Sequence, residues 1–103
     1  MVVRYGLAGG SLHIKLIGEM DECSASSVRE KCDAIIDGNL SVKSIIINLS
    51  EVAFMDSTGI GFLIGRYKKA QKLHIPLYVQ SPNLAADKIL NISGIYTLIP
   101  KAE

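Results

Sequence analysis

The chain has 103 residues, of which 49% are hydrophobic, and a formal net charge of +1. This length supports one domain with a single core. The near-neutral charge argues against a nucleic-acid-binding surface and against attachment to membranes by charge, and no apolar run approaches the roughly 20 residues that a bilayer-spanning helix needs. With two isolated cysteines and no signal-peptide pattern at its start, the sequence predicts a cytoplasmic protein.

The first part of the chain is predicted to form a β-hairpin followed by a helix. Strands are expected over 2–7 and 11–18, because apolar and polar residues alternate in the second with the period of a half-buried strand. Ser24 is the predicted N-cap of a helix over 25–37, whose apolar residues recur on one face. Gly38 is expected to end this helix with a positive φ.

The second part is predicted to alternate strands and helices. A continuous apolar run over 43–49 predicts a strand buried on both faces, and a helix over 58–72, a strand over 75–80 and a helix over 82–92 follow. This alternation implies parallel pairing with right-handed crossovers. The predicted fold is therefore α/β, a small mixed sheet with helices packed against it, in which an antiparallel hairpin precedes a βαβα unit. It forms a single domain over residues 1–103.

The helix predicted over 58–72 contains two glycines that need an explanation. Gly61 and Gly65 should each cost up to ~1 kcal/mol in helix propensity, so packing or function is expected to account for them. Arg66 is expected on a solvated basic face with the lysines that follow it, near the helix C-terminus. The buried stripe is expected to consist of Ile60, Leu63, Ile64 and Tyr67.

The segment with the clearest chemical meaning is Asp56-Ser57-Thr58, which connects the buried strand to this helix. The first N–H groups of a helix point outward and carry partial positive charge, so the segment can accommodate a phosphate. Ser57 could receive a phosphoryl group, or the three residues could serve only as helix caps, for which all three types are suitable. Phe54-Met55 adds an apolar pair in a predicted loop, where exposed apolar side chains tend to mark contact surfaces.

No catalytic set, metal site or cofactor motif is predicted from the other residues. His13 and His74 have no partner at metal-ligand spacing, and Ser57 has no evident histidine base. Cys32 lies on an apolar helix stripe and is expected in the core, whereas Cys23 lacks a neighbouring cation that would activate it. The sequence therefore predicts a protein that is not an enzyme and that uses no cofactor.

Four segments spread over nearly the whole chain carry a resemblance to a known family. They are Asp56-Ser57-Thr58-Gly59-Ile60-Gly61, Gly18-Glu19-Met20-Asp21, Leu63-Ile64-Gly65-Arg66-Tyr67-Lys68 and Ser93-Gly94-Ile95-Tyr96. In these motifs and their spacing the chain resembles the STAS domains of bacterial anti-sigma factor antagonists, and the sporulation branch in particular. Two departures are the Met in place of Leu at position 20 and the lack of the family's usual further helix before Glu103, which leaves open any partner contact made by that helix.

The resemblance implies a mechanism of partner switching. In this mechanism the unphosphorylated antagonist binds an anti-sigma factor that is also a serine kinase, and a sigma factor is thereby freed. The kinase uses ATP to phosphorylate the serine after the aspartate, here Ser57, and the modified protein releases its partner. A metal-dependent serine phosphatase then restores it. The implied partners are this kinase and this phosphatase, with no nucleic acid and no membrane, and the free protein is expected to be a monomer.

The partner-binding surface is expected to include the residues around the phosphorylated serine. A phosphate on Ser57 would add roughly −1.5 to −2 charges, which the N–H groups of Gly59 and Ile60 could accommodate without refolding, so we expect the modification to act mainly at the interface. Asp21 would end near Ser57 if the second strand lies beside the third, and it is either a pre-helix carboxylate or part of the partner surface. The expected surface comprises Asp21, Phe54, Met55, Asp56, Ser57, Thr58, Gly59 and Ile60.

Two other functions are compatible with parts of the sequence. In an aspartyl-phosphate receiver domain, Asp56 would be the acceptor and Glu19 and Asp21 would resemble the acids that hold Mg²⁺. Those acids, however, follow a hairpin strand and the chain has too few βα units. A STAS domain can also serve as a scaffold or sensor without phosphorylation, and the hydroxyl of Ser57 argues against that alternative.

Overall fold

The structure, a computed structural model, describes residues 1–102; Glu103, the last residue of the predicted domain, lies outside the described residues. Residues 1–102 form four strands, three α-helices and a short 3₁₀ helix at Ile95–Thr97. The strands and helices are β1 (Val2–Ala8), β2 (Ser11–Met20), α1 (Glu22–Asp37), β3 (Ser44–Met55), α2 (Ser57–Lys72), β4 (Leu77–Gln80) and α3 (Leu84–Ser93).

The four strands form one mixed sheet in the order β1-β2-β3-β4. β1 pairs with β2 in the antiparallel sense, whereas β2 with β3 and β3 with β4 are parallel. The predicted α/β fold, an antiparallel hairpin followed by a βαβα unit, is confirmed. Because α1 and α2 each connect neighbouring parallel strands, both helices run opposite to the strands and begin at the same edge of the sheet.

The core lies between one face of the sheet and the helices. Leu12, Ile14 and Leu16 of β2 are fully buried, as are Ile45 and Ile47 of β3. The alternate residues of β3 are only partly buried, so the prediction that this strand is buried on both faces is wrong. Helix α1 contributes three buried side chains, Val28, Cys32 and Ile36.

The structure confirms the prediction that Cys32 belongs to the core. Its side chain is fully buried, and burial raises the pKa of the thiol to about 12. A thiol with this pKa stays protonated at neutral pH and packs as a small apolar group. Cys23, by contrast, is exposed in the first turn of α1.

Several element boundaries differ from those predicted. β3 continues beyond the predicted end to Met55, because it pairs with β2 as far as Met20 across two register irregularities. Helix α3 begins after Asn83 rather than at Pro82: the Asn83 side chain accepts a hydrogen bond from Ala86 N–H at 2.8 Å and donates one to the Val52 carbonyl at 2.8 Å. Gly38 ends α1 with φ −82°, which is not the expected positive value.

The chain after α3 is tied back onto the sheet. Gly94 ends α3 with φ 76°, as a terminating glycine should, and Lys101 bridges to Val79 beside β4. The Tyr96 hydroxyl donates to Asp87 Oδ1 at 2.5 Å, and Lys101 Nζ lies 2.9 Å from the same oxygen. Desolvation, followed by this hydrogen bond, raises the pKa of Tyr96, so the phenol remains the donor at neutral pH. None of the helices within residues 1–102 combines the length and apolarity needed to cross a membrane.

Candidate functional site

The pairing of β2 with β3 brings two aspartates to neighbouring positions at the edge of the sheet. Met20 and Met55 are partners in the parallel ladder, and Asp21 and Asp56 are the residues that directly follow them. β2 therefore lies beside β3, which is the condition under which the sequence places Asp21 near Ser57. The starts of α1 and α2 meet at this edge, together with the positive ends of both helix dipoles.

Asp21 is the N-cap of α1. Its carboxylate accepts a hydrogen bond from Ser24 N–H at 2.9 Å, and its own N–H donates to the Ser24 hydroxyl at 3.3 Å, which completes a capping box. The prediction that Ser24 is the N-cap is therefore wrong, since Ser24 occupies the third helical position. The bond from the Ser24 backbone, and after it the bond from the Ser24 hydroxyl, lower the pKa of Asp21.

Asp56 has the same role at the start of α2. Its carboxylate accepts a hydrogen bond from Thr58 N–H at 2.8 Å, and its carbonyl accepts one from Gly59 N–H at 3.0 Å. Of the three residues that the sequence offers as caps, Asp56 is therefore the one that caps α2. The expectation that Gly59 offers a free N–H to a phosphate is wrong, because that group already donates within the turn.

Ser57 is the first residue of α2, and its side chain is exposed. The capping bonds of this turn go to Asp56 and not to Ser57. Ser57 therefore lies on the surface directly after the aspartate that caps its own helix, at the edge of the sheet where Asp21 caps the neighbouring helix.

The apolar pair before this turn divides between the surface and the core. Phe54 is 52% exposed, whereas Met55 is only 4% exposed. Both residues lie at the end of β3 and not in a loop as predicted, so they point to opposite faces of the sheet. Phe54 can contact a partner, but the expectation that Met55 does so is not supported. Met55 packs instead beneath Gly59, while Ile60 is partly buried.

A groove of about 380 Å³ runs between α1 and α2 and begins at Thr58. It is adjacent to Ser57 in sequence and extends the site along both helices. The residues that line it are Ala25, Arg29, Thr58, Gly61, Phe62, Gly65 and Arg66.

Arg66 is the residue of this groove whose burial differs from the solvated position that the sequence predicts. It is 5% exposed rather than solvated; its Nε lies 2.8 Å from Asp33 Oδ1, and its guanidinium lies 5.1 Å from the centre of the Phe62 ring. Desolvation lowers the pKa of Arg66, and the charge of Asp33 opposes this shift. Phe62, Arg66 and Ala70 are four residues apart, a spacing that places them on one face of the helix and could have indicated the burial of Arg66. The buried residues of α2 are Gly59, Phe62, Leu63, Arg66 and Ala70.

The structure does not favour the arrangement expected of an aspartyl-phosphate receiver. Within residues 1–102, no group of three or more His, Cys, Asp or Glu side chains is placed to hold a metal ion. The carboxylate of Asp56 is engaged in capping α2, and Asp21 is engaged in capping α1. These two acids are thus committed to the first turns of the helices.

Comparison with known proteins shows which family the chain resembles. The family model described as STAS domain matches residues 4–102. An anti-sigma F factor antagonist of Paenibacillus polymyxa is 31% identical over 91 residues, which cover 88% of this chain and 77% of that protein. An anti-sigma-B factor antagonist of Bacillus subtilis is 27% identical over 85% of this chain and 78% of its own length.

Solved structures show the same fold. The unphosphorylated form of the anti-sigma factor antagonist SpoIIAA superposes with a TM-score of 0.79 at 24% identity and covers 99% of this chain and 89% of its own. An anti-sigma factor antagonist from Mycobacterium paratuberculosis gives a TM-score of 0.85 at 22% identity, over 97% of this chain and 83% of its own. At these identities the likeness concerns the fold.

Proposed function

This chain belongs to the STAS domain family, and on that premise we propose that it is an anti-sigma factor antagonist switched by phosphorylation of Ser57. The unphosphorylated form binds an anti-sigma factor that is a serine kinase and so frees a sigma factor in the cytoplasm. Phosphorylation of Ser57 ends this binding, and a serine phosphatase reverses it. The protein is a regulatory binding module and a substrate, and not itself an enzyme.

The observation that carries this proposal is that Asp56 and Ser57 have different roles at the start of α2. Asp56 satisfies the first turn of α2, and Ser57, the next residue, is exposed. A kinase can therefore reach the hydroxyl without unfolding the helix, and the serine is not needed as a cap. The names of the curated relatives, antagonists of anti-sigma F and anti-sigma-B factors, support the same function.

The effect of the phosphate follows from the charges around it. The modification adds roughly −1.5 to −2 charges directly after Asp56, at the sheet edge where Asp21 also lies. The N–H groups of Thr58 and Gly59 already donate to Asp56, so the phosphate must compete for them. Like charges brought together at an interface cost several kcal/mol, about a hundredfold or more in affinity. The phosphate therefore opposes partner binding directly, by charge and by bulk.

The proposal is tested with the purified protein, ATP and purified candidate anti-sigma factor kinases. Mass spectrometry of the peptides should locate one phosphate on Ser57. Ser57→Ala should abolish the modification and retain binding, Ser57→Asp should weaken binding, and Thr58→Ala is the matched hydroxyl control that should still be modified. Modification of the Ser57→Ala variant, or a phosphate mapped to another residue, would contradict the proposal.

The chemistry of the phosphate separates this mechanism from that of a receiver domain. Phosphoserine survives acid, whereas an acyl phosphate on Asp56 would hydrolyse. Acid treatment of the modified protein before mass analysis should therefore leave the phosphate in place. Loss of the added mass would exclude phosphoserine and contradict the proposal.

A further inference from the structure

Helix α2 contains two glycines for which packing within the chain offers no reason. Apart from the backbone of α2 itself and the adjacent residues, no atom of residues 1–102 lies within 4 Å of a Cβ placed on Gly61 or Gly65, and both residues line the groove between α1 and α2. Glycine is unfavourable inside a helix compared with alanine. The two glycines leave the backbone of α2 bare along the groove, where a second chain can approach closely.

The charge of the groove favours an acidic ligand. Its lining within the described chain includes Arg29 and Arg66 and no acidic residue. Asp33 is the acid that pairs with Arg66, so one of the two positive charges is not offset. At the end of the groove where α1 and α2 start, Asp21 and Asp56 cap the helices and offset the positive ends of their dipoles, so the positive charge of the groove comes from its arginines.

Arg66 also has an unused donor. Its side chain is 6% exposed, and no hydrogen-bond partner within residues 1–102 faces its Nη1 atom. A buried guanidinium nitrogen without a partner is costly, and a carboxylate oxygen is the acceptor that matches it best. Burial of Arg66 on the wall of an open groove therefore points to a ligand that arrives from outside.

We propose that this groove receives an acidic side chain, a glutamate or an aspartate, of the anti-sigma factor. The carboxylate pairs with Arg29 at the surface and reaches towards Arg66, and the segment that carries it packs on the bare backbone at Gly61 and Gly65. This inference rests on the proposed function and extends its binding surface, because Thr58 at the end of the groove directly follows Ser57.

The test measures the affinity of the purified kinase for groove variants without ATP. Arg29→Glu reverses the charge of the groove and should weaken binding at least tenfold, with a smaller dependence on salt. Lys31→Glu makes the same change at an exposed position of the same helix outside the groove and should alter affinity less than twofold. A charge reversal of the matching acid on the kinase should restore binding to Arg29→Glu.

The glycines give an independent test that does not depend on charge. Gly61→Ala and Gly65→Ala place a methyl group in the groove, where it meets no other segment of the described chain within 4 Å, so both variants should fold. Each should weaken binding about tenfold. Gly38→Ala, which adds a methyl group at the far end of α1 where φ is −82°, should leave the affinity unchanged.

The outcomes distinguish this inference from the proposed function. If the wild type binds the kinase and the groove variants bind as tightly as their controls, the groove inference is overturned and the proposed function stands. If the wild type does not bind, both fail. If inorganic phosphate binds the groove and Arg29→Glu leaves kinase affinity unchanged, the groove is a small-anion site and the protein-carboxylate assignment is overturned.

Discussion

Met55 and Gly59 are packed so closely that a Cβ on Gly59 would lie 2.3 Å from Met55 Cγ. Met55 is held in the core at the end of β3, so its side chain cannot move away without losing burial. The glycine after Asp56-Ser57-Thr58 is therefore required by packing beneath the first turn of α2.

This contact predicts that Gly59→Ala destabilises the protein. Overpacking should lower the free energy of unfolding by about 1–3 kcal/mol, which urea denaturation measures. Gly61→Ala is the matched control two residues later, where the added methyl group meets no other part of residues 1–102 within 4 Å, and it should be neutral or stabilising by up to ~1 kcal/mol. Equal stability of Gly59→Ala and the wild type would show that the Met55 side chain can move away from the added methyl group.

The buried ion pair between the two helices predicts a large effect of Asp33→Ala. This change leaves Arg66 buried without its acid and should reduce the free energy of unfolding by about 3 kcal/mol. Asp37→Ala breaks the more exposed pair with Lys69 and should cost less than about 1 kcal/mol. Thermal unfolding of the two variants compares these effects directly. Similar losses in both would mean that Arg66 is well solvated after all.

The cap of α2 predicts different effects at Asp56 and Thr58. Asp56→Ala removes the acceptor for Thr58 N–H and should cost about 1 kcal/mol, whereas Asp56→Asn retains a good cap and should cost little. Thr58→Ala should not reproduce the loss, because Thr58 does not cap the helix. Denaturation midpoints at neutral pH measure all three. If Thr58→Ala were the most destabilising, the assignment of the cap would be wrong.

Asp56→Asn also tests the repulsion between the cap and the phosphate. Phosphorylation of Ser57 should destabilise the wild type more than it destabilises Asp56→Asn, because only the wild type places a full negative charge beside the phosphate. The measurement is the shift in thermal midpoint on phosphorylation of each protein. Equal shifts would remove Asp56 as the source of the repulsion.

The cap of α1 predicts a pH dependence. The hydrogen bonds from Ser24 lower the pKa of Asp21 in the folded protein below its ordinary value of 3.8. The stability that ionised Asp21 contributes is therefore fully present above pH 3.8 and is lost as the pH falls through the lower, folded value. Asp21→Asn keeps a cap that does not titrate, so it should lose less stability than the wild type on acidification below this pH. Parallel stability curves of the two proteins would contradict the prediction.

The response to phosphorylation is expected to be local. Backbone amide shifts of the phosphorylated and unmodified proteins should differ around Ser57 and Asp21 and remain unchanged in β4 and α3. The reason is that the site is at the edge of the sheet and its neighbours are helix starts already held by their caps. Shift changes that spread through the strands and α3 would instead indicate a conformational switch.

Local patterns were sufficient to predict the fold and to place Ser57 at the start of a helix. Alternation of apolar residues predicts the hairpin, and the βαβα order predicts parallel pairing, because both depend on periodicity along the chain. The position of Ser57 between a buried strand and a helix is equally local. Asp21 reaches the same sheet edge as Asp56 because β2 pairs with β3. The sequence alone does not establish this pairing, so it could place Asp21 near Ser57 only if the two strands were neighbours.

Contacts between residues distant in sequence determine the features that local patterns did not predict. Arg66 resembles a solvated residue in its own helix, and only the packing of α1, with Asp33 opposite, makes its burial possible. Met55 and Phe54 differ in exposure because β3 continues as a paired strand, and that pairing requires β2. The end of β2 likewise determines that Asp21, and not Ser24, caps α1. Periodicity and residue type are properties of a short segment, whereas burial and pairing depend on which segments the fold brings together.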